Sequence, residues 1–89
     1  MYSKTVVIKN KMGLHARPAS DFVKMAKQYK SNITIKRTDM DEKAAAKSIV
    51  MVLSLACSVG TEVELSAQGD DEQAAVEGLV ELIESGLSE

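Results

Sequence analysis

Apolar and polar positions along the chain change their period several times, and each change marks a predicted element. In Lys4–Lys9 and Asn32–Arg37 apolar side chains occupy alternate positions, which is typical of a strand with one buried face. Lys43–Ala46 predicts a weak third strand, and the alternation in Glu62–Ala67 predicts a clear fourth one. Strands of this kind favour an antiparallel sheet with one face in solvent.

A helical period separates these strands. From Ala16 onward, apolar residues recur every three or four positions as far as Tyr29, which predicts the first helix. Ser48 is expected to open a short second helix, because serine is among the best capping residues. The buried stripe of that helix is predicted to comprise Ile49, Val52 and Leu53.

The last helix is predicted after the fourth strand. Asp70 and Gln73 have the spacing of a D-x-x-Q capping box, and Gly86 stands near the expected end. The element order is therefore βαββαβα. It predicts an α+β fold, an open-faced two-layer sandwich in which three helices cover one side of a four-stranded, mainly antiparallel sheet. Residues 1–89 are expected to form a single domain.

Composition narrows the class of protein. Aromatic residues make up only 3% of the chain, so the core is expected to be built from aliphatic residues, Met and Ala. No apolar run has the length of a membrane span, and the first residues lack the pattern of a signal peptide. The one cysteine, Cys57, is expected to be a small buried hydrophobe, and a reduced, cytoplasmic protein is predicted.

Charge is divided unevenly along the chain. Met1–Lys47 holds eleven bases and four acids, a balance of +7, whereas Ser48–Glu89 holds nine acids and no base, a balance of −9. One hypothesis is a basic face that prefers acidic partners. The other is that folding interleaves the two halves and cancels the field.

The segment Met12–Ser20, MGLHARPAS, carries the candidate chemistry. Imidazole is a good nucleophile with a pKa near neutrality, and His15 stands where turn gives way to helix. The backbone amides of Ala16 and Arg17 are expected to be free there, and a helix start favours an anion. Arg17 adds a planar cation for phosphate oxygens, and Pro18 suits a first helical turn.

Other interpretations of His15 remain at this point. A lone surface histidine is most often a solvated side chain, and without a second histidine or clustered cysteines no metal site is expected. Nucleic-acid binding is not expected, because no predicted strand carries an aromatic residue on which a base could stack. Hydrolysis is not expected either, since no second acid–base group lies near His15 in sequence.

The string GLHARPA, Gly13 to Ala19, resembles the active-site motif of the phosphocarrier family known as HPr, and Asp41–Ala56 is similar to its second motif, centred on Ser48. The resemblance implies a relay that accepts phosphate from phosphorylated enzyme I on Nδ1 of His15 and donates it to the IIA domains of sugar permeases. It implies that Arg17 assists the transfer. It also implies no cofactor, no nucleotide site, no enzyme activity beyond the relay, and a monomer.

Ser48 carries a second hypothesis beside its capping role. In Gram-positive relatives of the family, the matching serine is phosphorylated by a dedicated kinase, HPr kinase/phosphorylase, and read by a catabolite-control transcription regulator. Here Val50-Met51 replaces the Met-Gly of that pattern, Ala56 replaces a common glycine, and the loop Arg37–Glu42 is about two residues longer than usual. These departures bear on kinase and regulator docking more than on the relay.

Four further residues are candidates for partner docking. Lys24 and Lys27 lie on the same helical side as Arg17 and are expected either to steer acidic partners or simply to be solvated. Val50 and Met51 are predicted to point outward as an apolar docking patch beside His15. The alternative function is that of a regulatory or nitrogen-branch paralogue with the same fold.

Overall fold

The computed structural model describes residues 1–87. Four strands and three helices follow one another in the predicted order, and the sheet is wholly antiparallel with the order β1–β4–β2–β3. The predicted α+β fold is therefore confirmed. The elements are β1 Tyr2–Val7, α1 Ala16–Ala26, β2 Asn32–Arg37, β3 Lys43–Ala45, α2 Ile49–Ser54, β4 Glu62–Gln68 and α3 Glu72–Glu84.

The first strand begins two residues earlier than predicted, at Tyr2. Its aromatic ring is thus on a strand, contrary to expectation. The Tyr2 hydroxyl donates a hydrogen bond to Glu77 Oε2 on α3 at 2.7 Å, so the ring faces the helices and offers no platform to a base. This bond raises the pKa of the Tyr2 phenol, because the carboxylate acceptor favours the protonated form.

The core lies between the helices and one face of the sheet. Apart from Phe22 it is built from aliphatic side chains and Ala, with the buried Cys57, as predicted. The expectation of Met in the core is wrong within residues 1–87, where only Met25 packs against it, partly buried. The helical stripe of α1 is buried as far as Ala26, where the helix ends, and Tyr29 packs on the core only partly buried. Of the α3 residues expected to face inward, Leu82 is only partly buried and the others are buried: Ala75, Val76, Leu79 and Ile83. Among residues 1–87 no helix has the length and apolar character needed to cross a membrane.

The stripe predicted for α2 is wrong at two of its three positions. Val52 is fully buried, whereas Ile49 is 37% exposed and Leu53 40% exposed. In this helix of six residues Val52 faces the core, whereas Leu53 diverges from it by about 100° and Ile49 by about 60° around the helix axis, so both lie at the margin of the buried face. The short apolar run did not reveal which position would face the core.

The capping box predicted from Asp70 and Gln73 is also absent. The N-cap of α3 is Asp71, and its carboxylate accepts hydrogen bonds from the amides of Lys30 and Ser31 at 2.8 and 3.0 Å. The amide of Gly69 instead donates to Glu72 Oε1 at 3.1 Å. The acid at the helix start therefore holds a turn that lies about forty residues away along the chain.

Candidate functional site

His15 is the N-cap of α1, and its side chain is exposed. Its backbone is extended, with φ −100° and ψ −174°, and its side chain makes no capping hydrogen bond. The first bond of the helix runs from the amide of Ala19 to the carbonyl of His15 at 2.7 Å. The amides of Ala16 and Arg17 come before that bond, so the helix itself provides no acceptor for them, and Pro18 has no amide hydrogen.

The turn before His15 is held by hydrogen bonds between its own residues and by one to the segment between α2 and β4. Asn10 Nδ2 donates to the Gly13 carbonyl at 2.8 Å, and the Gly13 amide donates to the Asn10 carbonyl at 3.1 Å. The amide of Leu14 donates to the Cys57 carbonyl at 2.8 Å. Gly13 has φ +67°, and a Cβ there would collide with the Cys57 carbonyl, so only glycine allows this approach.

His15 shares a shallow pocket with residues that come from two separate segments. The lining consists of Met12, Leu14, His15, Leu53, Ala56, Cys57 and Ser58. The four residues of the second segment were not predicted at this site: Leu53, Ala56, Cys57 and Ser58. Leu53 was expected in the core, and nothing local to the sequence indicates that the α2–β4 segment, residues 55–61, reaches the turn before His15.

Ala56 has φ +53°. This left-handed conformation costs a residue with a Cβ roughly 1–2 kcal/mol and persists only where neighbouring contacts hold it. The thiol of the adjacent Cys57 is buried, and burial raises its pKa while the nearby charge of Arg37 opposes that rise. Cys57 therefore acts at this site through its carbonyl and its packing.

The predicted cationic residues lie on the outer side of α1. Arg17, Lys24 and Lys27 are exposed, and none of them makes an ion pair within residues 1–87. Lys24 lies in the last turn of the helix and Lys27 is its C-cap. At 1.5 Å per residue, Lys24 is about 10 Å from Arg17 along the helix axis.

The two predicted apolar docking residues are exposed but point differently. Val50 is 74% exposed, and Met51 is 44% exposed. Met51 lines a separate depression with Lys43 and Lys47, beside the edge strand β3. Among the exposed apolar residues of α2 it is Leu53 that lines the pocket of His15.

Ser48 is the N-cap of α2, as predicted. Its Oγ accepts a hydrogen bond from the amide of Met51 at 3.3 Å, and its side chain is half-buried. The Val52 amide donates to the Ser48 carbonyl at 3.0 Å, which is the first bond of the helix. The hydroxyl is therefore engaged in capping in the fold as it stands.

An exposed imidazole beside an uncapped helix start, on a small open-faced α+β sandwich, is an arrangement that can bind an anion at the surface. A family model described as "PTS HPr component phosphorylation site" matches residues 2–85. The chain belongs to this HPr family of phosphocarriers of the phosphotransferase system.

Three known proteins illustrate the similarity. The phosphocarrier protein HPr of Haemophilus influenzae is 51% identical over 83 residues, which cover 93% of this chain and 95% of that protein. The crystal structure of an HPr from Thermoanaerobacter tengcongensis is 48% identical with a TM-score of 0.94, covering 100% of this chain and 98% of that one. The swapped dimer of the catabolite repression protein Crh of Bacillus subtilis is 42% identical with a TM-score of 0.75, covering 96% and 95%.

Proposed function

We propose that this chain relays a phosphoryl group from phosphorylated enzyme I to the IIA domains of sugar permeases through a phosphohistidine at His15. The observation that carries the proposal is the exposed His15 side chain at a helix start whose first amides are open. Membership of the family supports this choice of donor and acceptors.

In the proposed step, Nδ1 of His15 attacks the phosphorus of a phosphohistidine on enzyme I. The new N–P bond forms as the N–P bond to the donor imidazole breaks, and the electron pair of that bond returns to the donor ring. The amides of Ala16 and Arg17, with the Arg17 guanidinium, are placed to neutralise the charge on the phosphoryl oxygens. Catalysis then consists mainly of positioning and charge neutralisation, in the active site that the two proteins share.

The exposure of His15 suits a protein that passes its phosphoryl group on, rather than one that retains it. A phosphoimidazole buried among fixed donors would be stabilised too strongly to be passed on. Here the acceptor lies at the surface, with few fixed partners, and two different proteins can reach it in turn. In this proposal the chain is a relay and not an independent enzyme, it needs no cofactor, and it acts as a monomer.

The test is incubation with enzyme I and phosphoenolpyruvate, followed by intact mass and acid lability of the adduct. We expect one acid-labile phosphate on the wild type and none on His15→Ala, with the fold of the variant intact because the exposed His15 side chain is not part of the core. Full labelling of His15→Ala would overturn the assignment. Transfer from the labelled chain to a purified IIA domain tests the second half of the relay, and light scattering tests the monomer.

A second proposal concerns Ser48 and its phosphorylation by a dedicated kinase, with recognition by a transcription regulator. The hydroxyl is half-buried and accepts the Met51 amide, so the kinase must draw it out of the cap. Once formed, a phosphoserine would place about −1.5 to −2 charge at the start of α2, where a helix favours negative charge. We therefore expect the fold to tolerate the modification.

Ser48→Asp is expected to slow the labelling of His15, because added negative charge on this surface repels an acidic partner face. Ser48→Ala is the matched control, since it removes the hydroxyl without adding charge. The measurement is the enzyme I phosphorylation rate of the three proteins at matched folded fraction. If Ser48→Asp is labelled as fast as the wild type, Ser48 is a helix cap and the regulatory proposal is withdrawn.

The similarity to Crh, and to a phosphocarrier protein NPr that is 34% identical, favours keeping a regulatory or nitrogen-branch paralogue as a second candidate. A paralogue of the nitrogen-linked branch would also be phosphorylated on His15, but by a different enzyme I. Parallel labelling with the enzyme I of each branch separates the two candidates. Preference for the sugar-branch donor supports the general carrier, and preference for the other donor overturns it.

A further inference from the structure

Arg37, the last residue of β2, joins two parts of the molecule that are distant in sequence. Its Nη1 donates hydrogen bonds to the carbonyls of Leu55 and Ala56, at 3.0 and 3.2 Å. Its Nε and Nη2 donate to the two carboxylate oxygens of Asp39, at 3.0 and 2.8 Å. The side chain is only 15% exposed, so it is held along its length and at its planar head.

The two carbonyls that Arg37 binds belong to the end of α2. Leu55 is the C-cap of this helix, and the last turn contains no basic residue of its own. A cation at a helix C-terminus satisfies carbonyls that have no intrahelical partner. Arg37 provides that cation from another element of the fold.

The same carbonyls begin the segment on which the site is built. Ala56 is in the left-handed conformation, which needs neighbouring contacts to hold it. The next carbonyl, that of Cys57, accepts the amide of Leu14, the residue directly before His15. An unbroken path of bonded groups therefore leads from Arg37 through residues 55–57 to His15.

We propose that Arg37 is a positioning residue for phosphoryl transfer at His15, holding the carbonyls of Leu55 and Ala56 so that the α2–β4 segment keeps the turn before His15 in place. Asp39 orients the guanidinium through two parallel hydrogen bonds. This inference rests on the proposed function. Lysine cannot reproduce the arrangement in full, because its ammonium lacks the rigid planar fork.

Arg37→Met tests the proposal, since methionine keeps an apolar stem and removes every donor. In single-turnover transfer from phosphorylated enzyme I, we expect the rate at saturating carrier to fall about three- to tenfold. The half-saturating concentration should stay within about twofold, because Arg17, Lys24 and the exposed face of α2 are unchanged. Arg37→Lys is expected to recover part of the rate.

Lys36→Met is the matched control. Lys36 precedes Arg37 in β2 and forms an ion pair with Asp41 of the following loop at 3.6 Å, but it contacts neither carbonyl of α2. Its labelling rate should equal that of the wild type. Equal rates for Arg37→Met and wild type, or equal losses in Arg37→Met and Lys36→Met, would overturn the positioning role while leaving the relay standing.

Amide hydrogen exchange provides a readout that does not depend on phosphoryl transfer. Arg37→Met should speed exchange of the Leu14 amide, which donates to Cys57, at least about tenfold more than exchange of Leu65 in the central strand β4. A uniform change at both amides indicates global destabilisation and overturns the proposal, as does no change at either. If the wild type is not labelled at all, the proposed function fails, and exchange still decides whether Arg37 positions the turn before His15.

Discussion

The starts of α1 and α2 differ in how their first amides are satisfied. At α2 the hydroxyl of Ser48 accepts the Met51 amide, and the capping residue is half-buried. At α1 the capping position is held by His15, whose exposed side chain bonds to none of the helix amides. The start of α2 therefore has a side-chain cap, and the start of α1 has none.

The proposed phosphoryl transfer at His15 gives a reason for this difference. An N-cap side chain adds about 1 kcal/mol to the free energy of unfolding, and the start of α1 lacks this contribution. In return the amides of Ala16 and Arg17 remain available to an anion. At α2 the Ser48 hydroxyl takes up only the Met51 amide, so the two starts differ at the third helical position, where α1 has Pro18 and no amide hydrogen.

Charge reversal beside the open start should have the largest effect on phosphoryl transfer. We expect Arg17→Glu to slow labelling by enzyme I more than about tenfold, and Arg17→Lys much less, because glutamate repels both phosphate and an acidic partner. Lys24→Glu and Lys27→Glu should lower the association rate by a smaller factor. Stopped-flow rates at low and high salt provide the measurement.

Ionic strength distinguishes two effects of these charge reversals: slower association with the partner and slower phosphoryl transfer within the complex. The losses in Lys24→Glu and Lys27→Glu should shrink as salt rises, since exposed charges are screened beyond about 8 Å at physiological ionic strength. The loss in Arg17→Glu should persist in part, because that residue adjoins the phosphoryl site. Equal rates across the series at low salt would show that these cations are only solvated.

Changes at the two capping residues should also affect the free energy of unfolding, and in opposite directions. His15→Asn places a good capping side chain at the start of α1, where it can accept the Arg17 amide because Pro18 has none, and should raise the free energy of unfolding by about 0.5 kcal/mol while labelling is lost. Ser48→Ala should lower it by about 1 kcal/mol while labelling is kept. Urea unfolding of both variants, with His15→Ala as the control that adds no cap, gives these values.

The result that contradicts this view is a loss of stability in His15→Asn together with an unchanged His15→Ala. It would mean that asparagine cannot form the cap in the backbone conformation of residue 15. An equal loss in both variants would mean that the imidazole already stabilises the helix start. Either outcome would contradict the view that the missing cap at residue 15 lowers the stability of the fold.

The third helix start predicts a smaller, pH-dependent effect. Hydrogen bonds from the Ser31 hydroxyl and the Lys30 amide hold the pKa of Asp71 below its usual range. A depressed folded-state pKa stabilises the fold above the unfolded-state value of about 3.9, and this stabilisation is lost as pH falls through the folded-state pKa. The stability difference between wild type and Asp71→Asn should therefore shrink between about pH 5 and pH 2.

Asp70→Asn is the control for this prediction, because the side chain of Asp70 is exposed and accepts no side-chain hydrogen bond within residues 1–87. Its stability difference from wild type should not follow the same course. If the stability difference between wild type and Asp71→Asn stays constant with pH, the negative charge of Asp71 adds nothing to the stability that its hydrogen bonds provide.

Much of the fold was predictable because its longer elements repeat their pattern. The stripe of α1 and the alternation of β4 each recur often enough to identify the buried face. In α2 the pattern covers fewer than two turns, so Leu53 was assigned to the core although it lines the pocket of His15. Asp70 was assigned to a cap because the spacing of a capping box says nothing of competing partners such as Ser31.

The sequence by itself determined the element order, the aliphatic core and the placing of His15 and Arg17 at a helix start, since each depends on residues within one turn or strand of one another. Only the tertiary structure decided that Cys57 holds the turn before His15 and that Arg37 holds the end of α2. Those contacts join residues that are far apart along the chain, where no local period or capping preference acts. They arise from the packing of the whole chain.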